Sequence, residues 1–169
     1  MAERFEDIHA IIQVSLSYAG GIDHRDWERF RSVFHDECHF DTSSWSGRAP
    51  SVMRADDWVQ AVRSVNGSFD ATQHLMTNHV ITFEGDDVAI GVNEVHAQHW
   101  FGADTMLAMQ EPGQEPGQAA WCTLGGHYRN RYTRVNGVWR MAAMQLVVRW
   151  HTGDQRVFAL ARAPRIVVE

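Results

Sequence analysis

The feature of this sequence that most constrains its fold is a change in hydrophobic periodicity close to residue 66. Before that point, apolar residues recur at intervals of three and four, which is the spacing of one face of a helix. After it, long segments alternate between apolar and polar residues, as half-buried strands do. Helices followed by a series of strands predict an α+β fold, with helices on one face of a curved antiparallel sheet.

Turn residues divide the two halves into individual elements. Gly20 and Gly21 are expected to end the first helix and to place Asp23 in a link before the second helix. Gly85-Asp86 and Asn136-Gly137 predict tight hairpin turns between long strands. The predicted elements are helices over 4–21, about 25–35 and 55–65, a short strand over 37–42, a loop over 43–50, and long strands over 70–84, 87–102, 119–135 and 138–152.

The length and hydropathy of the chain favour a single globular domain. A chain of 169 residues is long enough for one domain with its own core, here 1–169, with helices over about 4–65, the sheet over about 70–152 and a tail over 153–169. No apolar run approaches the ~20 residues that a membrane span requires. The charged N-terminus lacks the apolar stretch of a signal peptide. We therefore expect a cytoplasmic protein without a membrane partner.

The charged residues exclude several classes of function. The net charge is −6 and the 15 basic residues are scattered, whereas a protein that binds nucleic acid usually carries a basic patch. All 15 are Arg, which excludes a Lys Schiff base, a pyridoxal phosphate anchored on Lys and a P-loop lysine. Cys38 and Cys122 are too few for a disulfide framework and are expected to be reduced and buried.

Polar residues that interrupt apolar faces are the candidates for a functional site. In the second long strand, alternation directs His99 to the same side as Val95 and Ala97, so this titratable group lies on an apolar face. His74 lies on a mixed face of the preceding strand, and Asp23 lies at a helix junction. Burying such groups costs free energy unless they find polar partners.

An Asp–His pair has a definite chemical use. A carboxylate that accepts from one imidazole nitrogen fixes the tautomer, so that the other nitrogen can remove a proton next to a carbonyl group. A second His, or a Tyr such as Tyr18, can then polarise the carbonyl or protonate a leaving hydroxyl. Asp23 as a helix cap and His99 as a hydrogen-bonded core residue remain alternatives. A metal site at His96 and His99 is disfavoured, because alternation places them on opposite faces.

Three groups of residues form a recognisable set through their order and spacing. They are Ile22-Asp23-His24-Arg25-Asp26-Trp27 with Phe30 and Phe34, then Thr72-Gln73-His74, then Gly125-Gly126-His127-Tyr128 with Arg134-Val135-Asn136-Gly137-Val138-Trp139-Arg140. Together they resemble the SnoaL-like group of the nuclear-transport-factor-like superfamily, over about Ala2 to Gly153. The resemblance implies a cone-shaped, curved antiparallel sheet that is capped by three N-terminal helices and encloses an apolar pocket.

The resemblance also implies a set of site residues. Asp23 and His74 fall where the lyase members of the superfamily have a catalytic Asp–His dyad. His99 falls where scytalone dehydratase has a second catalytic His, and Tyr18 falls where the bile-acid dehydratase has a tyrosine that acts with the dyad. Gly126 and Tyr128 stand where scytalone dehydratase has Ser and Asn, so the groups that contact the substrate differ.

The function implied is a lyase of the dehydratase type that needs no cofactor and no metal. Its partner would be a small apolar, cyclic or polyketide-like carbonyl compound. Two alternatives keep the same pocket: an isomerase or aldol-type cyclase, and a non-catalytic ligand-binding or structural subunit like the β subunits of ring-hydroxylating dioxygenases. The outer face of an open sheet predicts a homodimer or homotrimer. Residues 110–118 predict a surface loop, and the tail over 155–169 is expected either to close the pocket or to pack on a neighbouring subunit.

Overall fold

The computed structural model describes residues 4–109 and 118–162, and within these ranges the chain forms six helices and six strands. They are α1 (Phe5–Asp23), α2 (Trp27–Ser32), β1 (Phe34–Asp41), α3 (Ser43–Ser46), β2 (Ser51–Arg54), α4 (Ala55–Asn66), β3 (Ala71–Phe83), β4 (Val88–Phe101), α5 (Ala103–Ala108), β5 (Ala120–Val135), β6 (Val138–Gly153) and α6 (Val157–Arg162). The bounds of the four long strands match the prediction to within one residue. The α+β class is therefore confirmed.

The strands form one curved, unclosed sheet in the order β2-β1-β6-β5-β4-β3. β3 to β6 are an antiparallel meander, as predicted. The sheet is not wholly antiparallel, because β1 pairs with β6 in the parallel direction. The reason is the path of the chain: β1 and β6 are separated by all the elements from α3 to β5, and parallel neighbours require such a long connection. Register shifts between paired strands add local bends to the sheet.

The first helix is longer than predicted. α1 continues through Gly20 and Gly21 and ends at Asp23, so the expectation that the glycines end it was wrong. A Cβ on Gly21 would lie 2.7 Å from the backbone nitrogen of Phe30, which shows that this glycine permits the close approach of α2. Asp23 is consequently the last residue of α1 and not part of a link. α2 is shorter than predicted, and Asp26 caps it by accepting a hydrogen bond from a backbone N–H in its first turn.

Four short elements were not predicted. The segment expected to be a loop contains α3, and the residues after it form the edge strand β2. α5 follows β4, and α6 lies in the C-terminal tail. Elements of four to six residues are too short to show a periodicity, which explains why the sequence pattern did not reveal them. The loop predicted over 110–118 lies outside the described residues apart from Gln118.

β3 departs from strict alternation in its second half. Alternation would place Val80 on the same face as His74, but the pairing with β4 shifts between Thr77 and Val80, and Asn78 has a φ of 55°. Val80 is 62% exposed as a result. The bulge therefore changes the inward-facing set from the even residues of the first half, which include His74, to odd residues such as Ile81 and Phe83 in the second half.

The two cysteines behave as the composition suggested. Cys38 and Cys122 are both unpaired and buried. Burial raises the pKa of Cys38 to about 11, so its thiol stays protonated at neutral pH and is a poor nucleophile. Among residues 4–109 and 118–162, no helix combines the length and the apolar character needed to cross a membrane.

Candidate active site

The carboxylate of Asp23 connects the end of α1 to the first half of β3. Its Oδ1 accepts hydrogen bonds from Thr72 Oγ1 at 2.9 Å and from His74 Nδ1 at 2.7 Å. Its Oδ2 accepts from the backbone N–H of His74 at 2.7 Å. β3 is an edge strand, so this N–H would otherwise lack a partner within the sheet. Asp26, not Asp23, caps α2, so the capping alternative for Asp23 is wrong.

The contacts of Asp23 fix the tautomer of His74. Burial acts to raise the pKa of Asp23, but the hydrogen bonds and the charge of His74, together with the hydrogen bond from Thr72, outweigh it and hold this pKa below its usual value. An ionised carboxylate can only accept, so His74 Nδ1 must carry the hydrogen in their 2.7 Å contact. Nε2 is then left with a free lone pair. The His74 side chain is 7% exposed, which keeps this lone pair away from bulk water.

His99 lies on the inner face of β4, as alternation predicted, and its partner is an amide. His99 Nε2 is 3.2 Å from Asn66 Oδ1, at the end of α4. The Asn66 amide nitrogen donates to the backbone oxygen of Val62, and this orients the amide so that its oxygen faces His99. Nε2 of His99 is therefore the donor, and Nδ1 is the bare nitrogen. The backbone of Cys122, which is paired with His99 across β4 and β5, lies near the ring, but among the described residues Nδ1 has no hydrogen bond of good geometry.

The two imidazoles are neighbours with different electrostatic environments. Their ring centroids are 5.4 Å apart and the rings are nearly perpendicular. Burial, with a smaller contribution from the nearby His74, lowers the pKa of His99 to about 3. The backbone of Cys122 and the carboxylate of Asp23 oppose this shift but do not overcome it. His99 is therefore neutral at physiological pH.

Aromatic side chains and α6 cover the site. Phe69 and Phe158 pack against His99 with ring centroids 5.1 Å and 4.7 Å away, and Trp45 packs on the far side of Phe158 at 5.2 Å. Of the two outcomes expected for the tail, its described part packs over the site within the same chain. The side chains of His74 and Asp23 are 7% and 16% exposed, so the pair is largely, but not wholly, removed from solvent. A surface cleft of about 450 Å³ is lined by Arg25, Trp27 and residues of the α4 end, and it contains neither Asp23, His74 nor His99, so it is not the predicted apolar pocket.

Tyr18 lies deeper in the interior than the dyad. It precedes Asp23 by five residues of α1, about 7.5 Å of helix rise. Its hydroxyl is 3.2 Å from the hydroxyl of Tyr128 on β5, and among the described residues this is its one hydrogen-bond partner. Burial raises the pKa of Tyr128 to about 12 and that of Tyr18 well above its usual value, so both keep their protons. In the bond between Tyr18 and Tyr128, one hydroxyl donates its hydrogen to the other. The hydrogen of the accepting hydroxyl remains available to donate to a ligand oxygen.

Sequence reasoning did not identify several residues that shape this site. Tyr128 was noted only for standing where scytalone dehydratase has Asn, and Asn66 was not singled out. Arg25 lay within a family-like segment but was given no role; its guanidinium donates to Thr72 Oγ1 at 2.9 Å. The one sequence signal for these residues is that Arg25 and Asn66 each stand at a helix end, where a side chain can reach across to a strand.

The described residues give no support for a metal centre. Within 4–109 and 118–162, no group of three or more His, Cys, Asp or Glu side chains is arranged to hold a metal ion. His96 is exposed on the outer face of β4, whereas His99 is buried on the inner face. The two cannot share one ion without a change of strand geometry.

Comparison with known proteins identifies the family. The family model described as a SnoaL-like domain matches residues 3–145, which is most of the chain. The chain belongs to the SnoaL-like family. The resemblance seen in the sequence, carried by the segments around Asp23, His74 and Tyr128, is thereby confirmed at the level of the family.

Individual relatives agree with this assignment. The chain is similar to a scytalone dehydratase from Aspergillus fumigatus, with 27% identity over 152 residues that cover 87% of this chain and 84% of that protein. It is similar to the crystal structure of the Kfla4162 protein from Kribbella flavida, with 29% identity, a TM-score of 0.77, and coverage of 96% and 100%. A hexachlorocyclohexane dehydrochlorinase, LinA type 2, shares the fold at 18% identity and a TM-score of 0.71, over 90% and 91% of the chains.

Proposed function

We propose that this SnoaL-like protein is a cofactor-independent lyase of the dehydratase type. The observation that carries the proposal is the partly buried hydrogen bond of 2.7 Å between Asp23 and His74 Nδ1, which leaves His74 Nε2 free to take a proton. The substrate class is an apolar cyclic or polyketide-like compound with a carbonyl group and a hydroxyl on the β carbon. The aromatic rings of Phe69 and Phe158 suit such a planar, apolar ring.

The reaction proceeds by proton transfer at one imidazole. His74 Nε2 takes the proton from the α carbon, and the electron pair of that C–H bond moves into an enolate. The resulting imidazolium is stabilised by Asp23 and then gives its proton to the β-hydroxyl, which leaves as water as the α,β double bond forms. The atoms of one water molecule are lost in total, so no external acid, oxidant or metal is needed.

The two remaining polar groups take roles that follow from their protonation. The free hydrogen of the Tyr18–Tyr128 pair donates to the carbonyl oxygen and stabilises the enolate. His99 is neutral and buried among aromatic rings, so it forms part of the wall of the site beside His74 and does not act as an acid. This assignment differs from the expectation that His99 protonates the leaving group, because a group with a pKa of about 3 is seldom protonated at neutral pH.

The relatives support the reaction class and leave the substrate open. Several curated relatives that match most of the chain carry the name dehydratase. An isomerase or cyclase would use the same proton abstraction, and a binding subunit would use none. The three functions can be separated by what happens to the α proton and to the mass of the ligand.

The test is incubation in D₂O of the purified protein with scytalone and with a panel of cyclic β-hydroxy ketones. Mass spectrometry reports loss of water, and proton NMR reports deuterium at the α carbon of recovered substrate. We expect loss of water from at least one compound, reduced about 10²–10⁴-fold in His74→Ala. His96→Ala, on the outer face of the same sheet, is the matched control and should retain full activity.

Each other outcome changes the function in a defined way. Deuterium exchange with rearrangement but without loss of water would make the protein an isomerase or cyclase. Binding of panel compounds without exchange would make it a binding or structural subunit. Water loss that survives in His74→Ala would contradict the dyad as its catalyst.

A further inference from the structure

Arg25 occupies a backbone position that usually belongs to glycine. α1 ends at Asp23, His24 is the C-cap, and Arg25 follows with a φ of 60°. A left-handed residue directly after the C-cap is a common way to end a helix, and glycine is preferred there because it lacks a Cβ. An arginine kept in such a conformation indicates that its side chain has a use, which the contacts of its guanidinium identify.

The guanidinium of Arg25 joins three parts of the chain. Nη1 donates to the backbone oxygen of Ile22 at 2.8 Å and to Thr72 Oγ1 at 2.9 Å, and Nη2 donates to the backbone oxygen of Phe69 at 2.9 Å. These acceptors belong to α1, to β3 and to the link before β3. Arg25 therefore sets the distance between the two elements that carry Asp23 and His74.

The contact with Thr72 also determines where a hydrogen points. A threonine hydroxyl has one hydrogen and can accept as well. Arg25 can only donate, so Thr72 Oγ1 is the acceptor in that contact and its own hydrogen is free to be donated. Asp23 Oδ1 lies 2.9 Å from Thr72 Oγ1 and is an acceptor, so it receives this hydrogen. These hydrogen bonds link Arg25 to Thr72 and Thr72 to Asp23, and Asp23 in turn accepts from His74.

We propose that Arg25 is a positioning residue of the dyad, which acts through Thr72 to hold the Asp23 carboxylate against His74 Nδ1. The catalytic meaning of this positioning role rests on the proposed function. The hydrogen-bond chain from Arg25 to His74 can be tested without any turnover. The Asp23 carboxylate accepts three hydrogen bonds, from Thr72 Oγ1 and from the backbone N–H and Nδ1 of His74, and rotation away from the imidazole would break them. The competing explanation is a merely structural one, in which Arg25 ties α1 to β3.

Two variants separate these explanations. Arg25→Gly removes the guanidinium and suits the backbone conformation, so it tests the side chain without adding strain. Thr72→Val removes the hydroxyl at nearly constant volume and leaves the bonds of Arg25 to Ile22 and Phe69 in place. The matched control for the backbone change is Asn136→Gly, because Asn136 also has a positive φ, of 52°, in a hairpin turn remote from the site.

The measurement that does not depend on a substrate is proton NMR of the hydrogen shared by Asp23 and His74 Nδ1. In the unmodified protein and in Asn136→Gly we expect a downfield resonance protected from exchange with water. In Arg25→Gly and in Thr72→Val we expect this resonance to be lost. Where a substrate has been found, kcat should fall about 10-fold in both variants with little change in KM, as outer-shell partners of site residues commonly show.

Combining the Arg25 and Thr72 variants distinguishes a positioning role of Arg25 from a purely structural one. The double variant should be no worse than the worse single one, because both changes interrupt the same chain. Arg25→Lys should restore part of the effect, since an ammonium can donate to Thr72 but lacks the fork of donors. Retention of both the resonance and kcat in Thr72→Val would overturn the proposal, even if Arg25→Gly failed to fold. Absence of turnover with every compound, with the resonance behaving as expected, would count against the proposed function alone.

Discussion

The surroundings of His74 and of His99 differ although the two rings are 5.4 Å apart on adjacent strands. His74 has an ionised carboxylate on Nδ1, and this carboxylate is itself held by donors from β3. His99 has a neutral amide on Nε2 and aromatic rings on its faces. Both side chains are nearly excluded from solvent, so burial alone does not distinguish them.

The comparison teaches that the partner of a buried histidine decides its chemistry. A carboxylate compensates the cost of placing positive charge on His74 during proton transfer, whereas an amide gives His99 no such compensation. One ring is thus suited to take and return a proton, and the other is suited to remain neutral. We therefore predict separate roles for two histidines that look equivalent in the sequence.

Removal of the carboxylate should have the largest effect. Asp23→Asn keeps the size of the side chain but replaces an acceptor-only group with an amide that can also donate, so the tautomer of His74 is no longer fixed. We expect turnover to fall about 10²–10⁴-fold, measured as initial rate of water loss. The matched change at the other ring is Asn66→Ala, which removes the partner of His99 and should alter turnover only a few-fold. Equal losses in the two variants would contradict the distinction between the rings.

The second prediction concerns His99 and has a smaller expected effect: the free energy of unfolding should fall as the solution is acidified. Its pKa is about 3 when folded and near the usual 6.5 when unfolded, so the unfolded chain binds the extra proton between these values. Above pH 6.5 His99 is neutral in both states, so it does not affect the free energy of unfolding. As the pH falls from 6.5 toward 3, only the unfolded chain gains a proton at His99, and the free energy of unfolding decreases. The slope is about 1.4 kcal/mol per pH unit for one such group.

Urea unfolding at a series of pH values from neutral down to about 4 measures this slope. His79, whose pKa is also lowered by burial, adds to it in the same direction. The lowered pKa values of Asp23 and Asp41 contribute from about pH 5 downward, so the slope that belongs to the histidines is taken from the part of the series above about pH 5. His99→Gln should therefore reduce the slope, whatever its stability at neutral pH. Parallel slopes for the two proteins would show that His99 is not kept neutral by the fold.

The sequence predicted most of the sheet and the inward direction of His99 for identifiable reasons. Alternation in β4 is regular from end to end, so the inward direction of His99 followed directly from it. Alternation in β3 is interrupted by the bulge at Asn78, which has no clear sequence signal. Gly20 and Gly21 were misinterpreted because a glycine pair ends a helix in most contexts, whereas here Gly21 permits a close helix contact.

The contacts that tune the site were not predictable from sequence. Arg25 and Thr72 are far apart in the chain, and their hydrogen bond exists only because α1 packs beside the edge strand β3. The same is true of Asn66 and His99, which meet because α4 ends over β4. Local patterns identify the face on which a side chain lies, but not which distant side chain will reach it.

The most direct test of the central claim is a nitrogen–proton NMR correlation of the imidazole rings in the unmodified ¹⁵N-labelled protein. The account predicts that His74 carries its hydrogen on Nδ1, and that His99 carries its hydrogen on Nε2 with a bare Nδ1 that stays unprotonated to about pH 5. A bare Nδ1 on His74 at neutral pH, or a protonated His99 at that same pH, would contradict it.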